Sequence, residues 1–256
     1  SDILNSELNW PFTRAEGSVD VIAGKQLYSF ASISSTLKYI DYDNIFLAPK
    51  DYISNGDFEI SGSASITNWT TVSGSPAASS KFGNTLLLTS AEASQAVNDL
   101  VVGQSYTIIT QISGATLTLE VGTSSGGSQT KSTTLTISNA NEVLLSETTF
   151  TATATTHYVS FTEAAGSAAY VKLVQLMENT TSTPLKYISY EEYNDRYRER
   201  DSKPDTDKFA LPEFVYTNYN DELGLTPIPD TSNRVLKFDY YITNTALSSH
   251  IIFSIY

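Results

Sequence analysis

Cysteine is absent from the 256 residues, which excludes disulfides, thiolate metal sites and cysteine nucleophiles. Cationic side chains are scarce, 15 Lys and Arg against 28 Asp and Glu, so the formal net charge is −13. Sequence-independent nucleic-acid binding draws its affinity from cations that displace counterions from phosphates, and a chain this acidic is poorly suited to grip DNA. There are two histidines, His157 and His250, and neither belongs to a His-x-x-x-His pair, a nucleophile elbow or a phosphate-binding glycine loop. No run of about 18 apolar residues is present that would span a membrane. No basic-then-apolar start resembles a signal peptide, and the first residue is Ser rather than Met, as expected of a processed or trimmed chain or a piece of a longer product. Acidic clusters do occur, at Asp41 and Asp43, around Glu191 to Asp201, and at Asp205 and Asp207. Glycoside hydrolysis needs two opposed carboxylates in a cleft, which spacing along one strand or helix does not supply, so these read as solvated faces and no catalytic residue is expected. The sequons at Asn68 and Asn179 read as coincidences in a Thr-rich chain.

Charge is unevenly spread. From Asp57 to Glu178 only 12 of 122 residues are charged, whereas the other 134 positions hold 31. The same stretch has 40 Ser and Thr, no Arg and three of the 16 Tyr. Such shifts mark a domain boundary on each side. Within it, "QSYTIITQISG", "ATLTLEVGTSSGG" and "THYVSFTEAAGSAAYVKLVQLME" alternate apolar and polar residues between glycine turns, the period of half-buried strands. Strands recurring at about ten-residue spacing predict an antiparallel β-sandwich.

"SNGDFEISG", "ITNWTTVSG", "LVVGQSYTIITQISG" and the closing "AYVKLVQLME" follow one another in an order that resembles the jelly-roll sandwich of carbohydrate-binding modules. That resemblance implies a structural calcium held by acidic residues of the opening motif, with Asp57 and Glu59 as its candidate ligands and no other cofactor required. A turn with solvated carboxylates is the competing reading. It also implies aromatic platforms for a glycan, for which Trp69, Tyr106 and Tyr158 are the candidates, although Trp69 stands where such modules place a core Trp.

The flanks share a composition and neither looks able to bury a core alone. Ser189 and Glu192 form a capping box, and Tyr190, Tyr193 and Tyr197 recur at helical spacing, which predicts a helix over 190–200. "KFALPEFVYTN", "ELGLTPIPD" and "RVLKFDYYITN" read as strands. On the other flank, "LNWPF" reads as a short helical entry, "GSVDVIAGKQLYSFAS" as a hairpin turning at Ala23 and Gly24, and "LKYIDYDNIFLAP" as a strand. The expected organisation is therefore mainly β: a host α+β domain of residues 1–53 and 179–256, interrupted at a loop tip by a sandwich of residues 54–178.

"NWPF", "LKYISYEEYNDRY", Lys203-Pro204, "LGLTPIPD" and "LKFDYY" come in an order that resembles the head-to-tail adaptor, or tail tubular ring, proteins of short-tailed bacteriophages. Two features depart from that pattern: "SFASISSTLKYID" replaces a Leu-Pro-x-Asp segment, and the terminal helices are missing or curtailed. The resemblance implies a structural virion protein of the phage neck or tail, made in the host cytoplasm. It would form a ring, twelve-fold by family, between the portal and the tail tube or nozzle protein, and double-stranded DNA would pass through without tight binding. The sandwich would decorate the outside, and glycan recognition or fibre anchoring on the phage surface is the alternative. Tyr190, Tyr193, Arg196, Tyr197, Arg198 and Arg200 are the candidate subunit contacts, because Tyr and Arg are favoured at interface centres. A self-paired, exposed helix is the competing reading.

Overall fold

A computed structural model describes residues 14–34, 37–204 and 206–242. Strands make up 52% of it and helices 8%, so the chain is mainly β. Two compact units are present, one of Ser1–Lys50 with Thr180–Tyr256 and one of Asp51–Asn179. The predicted helical entry at "LNWPF" lies outside the described residues. Among the described residues no helix is long and apolar enough to cross a membrane.

The first unit opens with β1 (Arg14–Asp20), β2 (Leu27–Ser29), the single helical turn α1 (Phe30–Ile33) and β3 (Leu37–Pro49). The Asp51–Asn179 unit holds β4 (Glu59–Ile60), β5 (Ser63–Ala64), β6 (Thr70–Ser73), β7 (Ala77–Ser79), β8 (Thr85–Leu88) and β9 (Ala91–Val97). It continues through β10 (Ser105–Ser113), β11 (Leu117–Gly122), β12 (Lys131–Leu135), β13 (Val143–Thr151), β14 (His157–Glu163) and β15 (Ala169–Glu178). The chain then returns to the first unit with β16 (Thr183–Pro184), β17 (Lys186–Tyr187), α2 (Tyr190–Arg196) and α3 (Arg198–Ser202). Last come β18 (Phe209–Ala210), β19 (Phe214–Thr217), β20 (Glu222–Thr226), β21 (Ile228–Pro229) and β22 (Arg234–Ile242).

In the Asp51–Asn179 unit two five-stranded sheets form, ordered β13-β10-β15-β8-β7 and β12-β11-β14-β9-β6. Strands β8 to β11 cross alternately between them, as do β12 to β15, the connectivity of a jelly roll. The alternation in the sequence decides which side chains turn inward. Tyr106, Ile108 and Ile112 of β10 face Leu119, Val121, Val159 and Phe161 of the other sheet in one continuous apolar core. At the entry, one carboxylate oxygen of Asp51 accepts from the Ile53 and Leu176 N–H groups, both at 3.0 Å, so the two ends of this unit are tied side by side.

The other unit builds its core from both flanks. Sheet β1-β22-β3-β16 supplies Ile40, Ile45, Leu47 and Leu236, and sheet β17-β19-β20-β2 supplies Tyr28, Val215, Leu223 and Leu225. The expected hairpin at Ala23 and Gly24 is corrected here. The turn exists, with Gly24 at φ +77° and Lys25 N–H donating to the Ile22 carbonyl at 3.0 Å. Its two strands part, however, β1 pairing with β22 and β2 with β20. Each finds a longer partner supplied by the second flank, and local sequence carries no record of that. The predicted helix begins as expected, Ser189 Oγ accepting from Glu192 N–H, but breaks at Tyr197 (φ −119°, ψ −27°) into two short helices.

Candidate functional site

The opening motif of the sandwich serves its core first. Asn55 and Phe58 adopt positive φ, which turns the chain tightly enough to bury Phe58 completely. The Asn55 side-chain amide donates to the carbonyls of Ser65 and Thr67 at 3.0 and 2.9 Å, and the Asn55 backbone carbonyl accepts from the Trp69 indole at 3.2 Å. Trp69 is 7% exposed and packs between Phe58 and Phe161, so it is a core residue and not a glycan platform. Tyr106 is likewise removed from that role: it is fully buried on the inner side of β10, and its hydroxyl accepts from Val101 N–H. Of the three aromatic candidates, Tyr158 alone points outward, because it alternates with the inward His157 and Val159 along β14.

Asp57 and Glu59 are exposed and line an open groove of about 460 Å³ with Asn84, Gln111, Lys172 and Leu173. Calcium asks for six to eight oxygen ligands. Here Asp57 accepts from Glu59 N–H, the Asn84 amide donates to Glu59 at 2.7 Å, and the Lys172 ammonium shares the groove. Among the described residues no three His, Asp or Glu side chains gather where they could hold a metal ion. The groove presents donors and a resident positive charge where a cation would need acceptors, so these residues do not fit a calcium cage.

The outer face of β9, β14 and β11 brings together residues that are remote in sequence. Pairing puts Glu92 beside Thr162 and Thr118, Glu120 beside Ser160 and Ser94, and Tyr158 between Ala96 and Gly122. Thr162 donates to Glu120 at 3.2 Å. Ser160, itself buried, donates to Ser94 and accepts from Gly126 N–H of the β11–β12 loop. That loop forms a wall of the face: a Cβ on Gly126 would stand 2.7 Å from Glu92 Oε1. Glu92 Oε1 is buried with no hydrogen-bond partner. Burial, and after it the charge of Glu120, raise the Glu92 carboxyl above its ordinary range. Glu92 and Glu120 passed unnoticed in the sequence because they lie in different strands flanking β14, and only the register reveals that they share a face.

On the other unit, the candidate interface residues divide. Tyr193 is buried, stacked on Tyr216 with ring centroids 4.0 Å apart, and Tyr190 stacks on both. Desolvation, chiefly, raises the Tyr216 hydroxyl far above its usual range. Tyr197 leans on Phe214 and carries the Arg200 guanidinium over its ring. Arg200 grips Asp201, whose buried carboxylate also accepts from Gln26 and Thr226. These four side chains therefore hold the helices to their own sheet. Arg196 is exposed and paired with Glu192 at 2.9 Å, and Arg198 is exposed beside Asn194, the self-paired pattern.

Two further polar side chains singled out in the sequence have structural surroundings. His157 is buried, its Nε2 accepting from Thr153 N–H at 3.4 Å, and burial lowers its pKa below the ordinary value. Asp41 pairs with Arg14 at 3.7 Å, and Asp205 and His250 lie outside the described residues.

No protein-family model and no curated protein matches the chain. Among solved structures, similarity extends to the enzymatically active domain of tailspike protein 4 of bacteriophage CBA120, at 15% identity and a TM-score of 0.39, over 50% of this chain and 21% of that one. It also extends to the TmCBM61 module solved with β-1,4-galactotriose, at 19% identity and 0.39, over 51% of this chain and 99% of the module. The CBM22-1 xylan-binding domain of Paenibacillus barcinonensis Xyn10C is similar at 11% identity and 0.38, over 52% and 97%.

Proposed function

We propose that the chain is a non-catalytic protein whose Asp51–Asn179 sandwich recognises a glycan on the outer face of β9, β14 and β11. The carrying observation is Glu92 Oε1, a buried carboxylate oxygen without a donor. It stands on a face that also offers Glu120, Thr118, Thr162 and the ring of Tyr158. Sugar hydroxyls donate to such acceptors, an unpaired buried acceptor is costly until a donor arrives, and an outward Tyr provides a stacking surface for the pyranose C–H face. A glycan array with the full chain tests this. Binding to a restricted set of glycans, abolished by Tyr158→Ala and by Glu92→Gln, is the expected result, and an array with no signal above those variants overturns it.

For the unit of Ser1–Lys50 with Thr180–Tyr256 we infer a second, compatible role as a ring-forming head-to-tail adaptor of a phage virion. The support is the ordered set of adaptor-like motifs, together with a core assembled from both flanks around the interruption between the paired strands β3 and β16. Its partners would be other copies of the chain, a portal and a tail tube protein, with genomic DNA passing through. Cryo-electron microscopy of particles carrying the protein tests it: a ring below the portal supports the role, and scattered or single copies on fibres or capsid remove it.

A further inference from the structure

Strand β13 (Val143–Thr151) ends its five-stranded sheet and, among the described residues, pairs only with β10, along its whole length and without a bulge. A sheet edge offers unpaired N–H and C=O groups to any strand that can reach it, and folded proteins blunt such edges with brevity, charge, Pro or bulges. The other edge strands of the four- and five-stranded sheets obey that rule. β2, β7, β16 and β17 are each two or three residues long, β6 carries a register shift, and β12 and β1 open with Lys131 and Arg14. β13 has no Lys, Arg or Pro, and it exposes Val143 at 52% and Leu145 at 58%.

The ladder fixes which of its backbone groups are free. Ala152, just past the strand, gives its N–H to the Gln104 carbonyl at 2.9 Å and accepts from Gly103 N–H at 2.8 Å, whereas the Ser105 carbonyl turns the other way, to Asn179. In an antiparallel pair, opposed residues alternate between bonded and non-bonded. The even-numbered residues Leu144 to Phe150 therefore bond to β10. Val143, Leu145, Glu147, Thr149 and Thr151 turn their groups outward, and these have no hydrogen-bond partner among the described residues.

We propose that β13 is a self-association edge, on which β13 of a second copy of this chain docks antiparallel about a two-fold axis. Outward groups pair only with outward groups, so odd-numbered residues oppose odd-numbered ones. Charge selects the register. Glu147 is the only charged residue of the strand, and the adjoining β10 has none. An axis at Glu147 sets like charges directly opposite, which is destabilising, and an axis at Ser146 leaves them diagonal, about 7–8 Å apart. An axis at Leu145 sets the two leucines against each other and each Glu147 against Val143. The carboxylates then lie four residues apart along the strands, roughly 14 Å at about 3.4 Å per residue, past the Debye length of about 8 Å. An occupant needs an unbroken run of outward backbone groups, an apolar centre and no charge opposed to Glu147, and among the described edge strands β13 of a second copy supplies all three.

Oxidative cross-linking tests this, because the chain has no cysteine to compete. Opposed residues of a bonded pair have Cα atoms about 5.5 Å apart, inside the disulfide range of about 4.4–6.8 Å. The Leu145→Cys variant of the full chain is expected to give a disulfide dimer in at least tenfold greater yield than Glu147→Cys, also an exposed position on this edge, which the register holds apart. Sedimentation equilibrium of the unsubstituted chain is expected to show self-association that Leu145→Lys weakens at least tenfold. Leu145 is exposed, and an unshifted melting temperature verifies the fold of that variant. Three outcomes overturn the proposal: a monomer at every concentration, equal cross-linking of the two cysteine variants, or association indifferent to Leu145→Lys. Random collision would give the second, and association through the other unit alone would give the third.

Discussion

Glu163 gives the sharpest test of the physical reasoning about the sandwich. It is 1% exposed at the end of β14. One carboxylate oxygen accepts from Ser90 and Gly166 N–H at 2.8 and 3.1 Å, and the other accepts from Ala165 and Ser167 N–H at 2.8 and 3.3 Å. Burial opposes ionisation, but the four N–H groups together outweigh it and hold the carboxyl below its ordinary pKa. Glu163→Gln is nearly isosteric, yet its NH₂ cannot accept, so two backbone donors lose their acceptor and face another donor. Hydrogen bonds to a charged group contribute about 1.5–3 kcal/mol each. Water can reach the exposed β14–β15 turn and recover part of the loss, which leaves a cost of about 3 kcal/mol for the pair. For a unit of this size that corresponds to a drop of about 10 °C in melting temperature, read from the fluorescence of the buried Trp69. The dependence on pH has a fixed sign. A carboxyl whose folded pKa is depressed stabilises the fold above its ordinary pKa of 4.5 and loses that contribution as pH falls through the lower folded value. Wild type and variant therefore converge as pH falls below 4.5. A variant melting within 1 °C of wild type at pH 7, or a difference that stays constant as pH falls well below 4.5, refutes the argument.

Three further outcomes are expected. Gly56→Ala places a Cβ 2.0 Å from the Val174 carbonyl, which is backbone and cannot step aside; a loss of about 3 kcal/mol in denaturant unfolding of the sandwich is expected. Asp201→Ala leaves the donors of Arg200, Gln26 and Thr226 facing an empty site, so about 3 kcal/mol is lost from the other unit, with amide exchange accelerating in α2 and α3 while the sandwich is unmoved. Burial holds His157 neutral, its pKa lowered from 6.5. Its stabilisation is complete above pH 6.5 and declines as pH falls through the folded value, and His157→Gln removes that portion of the acid sensitivity of the melting temperature.

Much of the architecture was legible along the chain because it rests on local pattern. Alternation in "SYTIITQIS" and "LTLEV" foretold both the strands and the inward sides that form the sandwich core. The capping pair Ser189 and Glu192 marked the start of α2 to the residue. Long-range pairing was not legible. The turn at Gly24 was, but the separate partners of β1 and β2 lie about two hundred residues away, where no nearest-neighbour signal reaches. The same limit governs the sites. Trp69 and Tyr106 carry the chemistry of a glycan platform, and only their burial withdraws it. Tyr190, Tyr193, Tyr197 and Arg200 suit an interface by type, and only Tyr216, Phe214 and the Asp201 carboxylate engage them within their own unit. Glu92 and Glu120 look unremarkable in sequence, and strand register makes them neighbours. Asp57 and Glu59 could promise a cation until Lys172, more than a hundred residues on, takes its place in the same groove. Composition and periodicity are local properties and set which elements form. Register, burial and charge balance depend on which distant residues meet, and folding alone sets those.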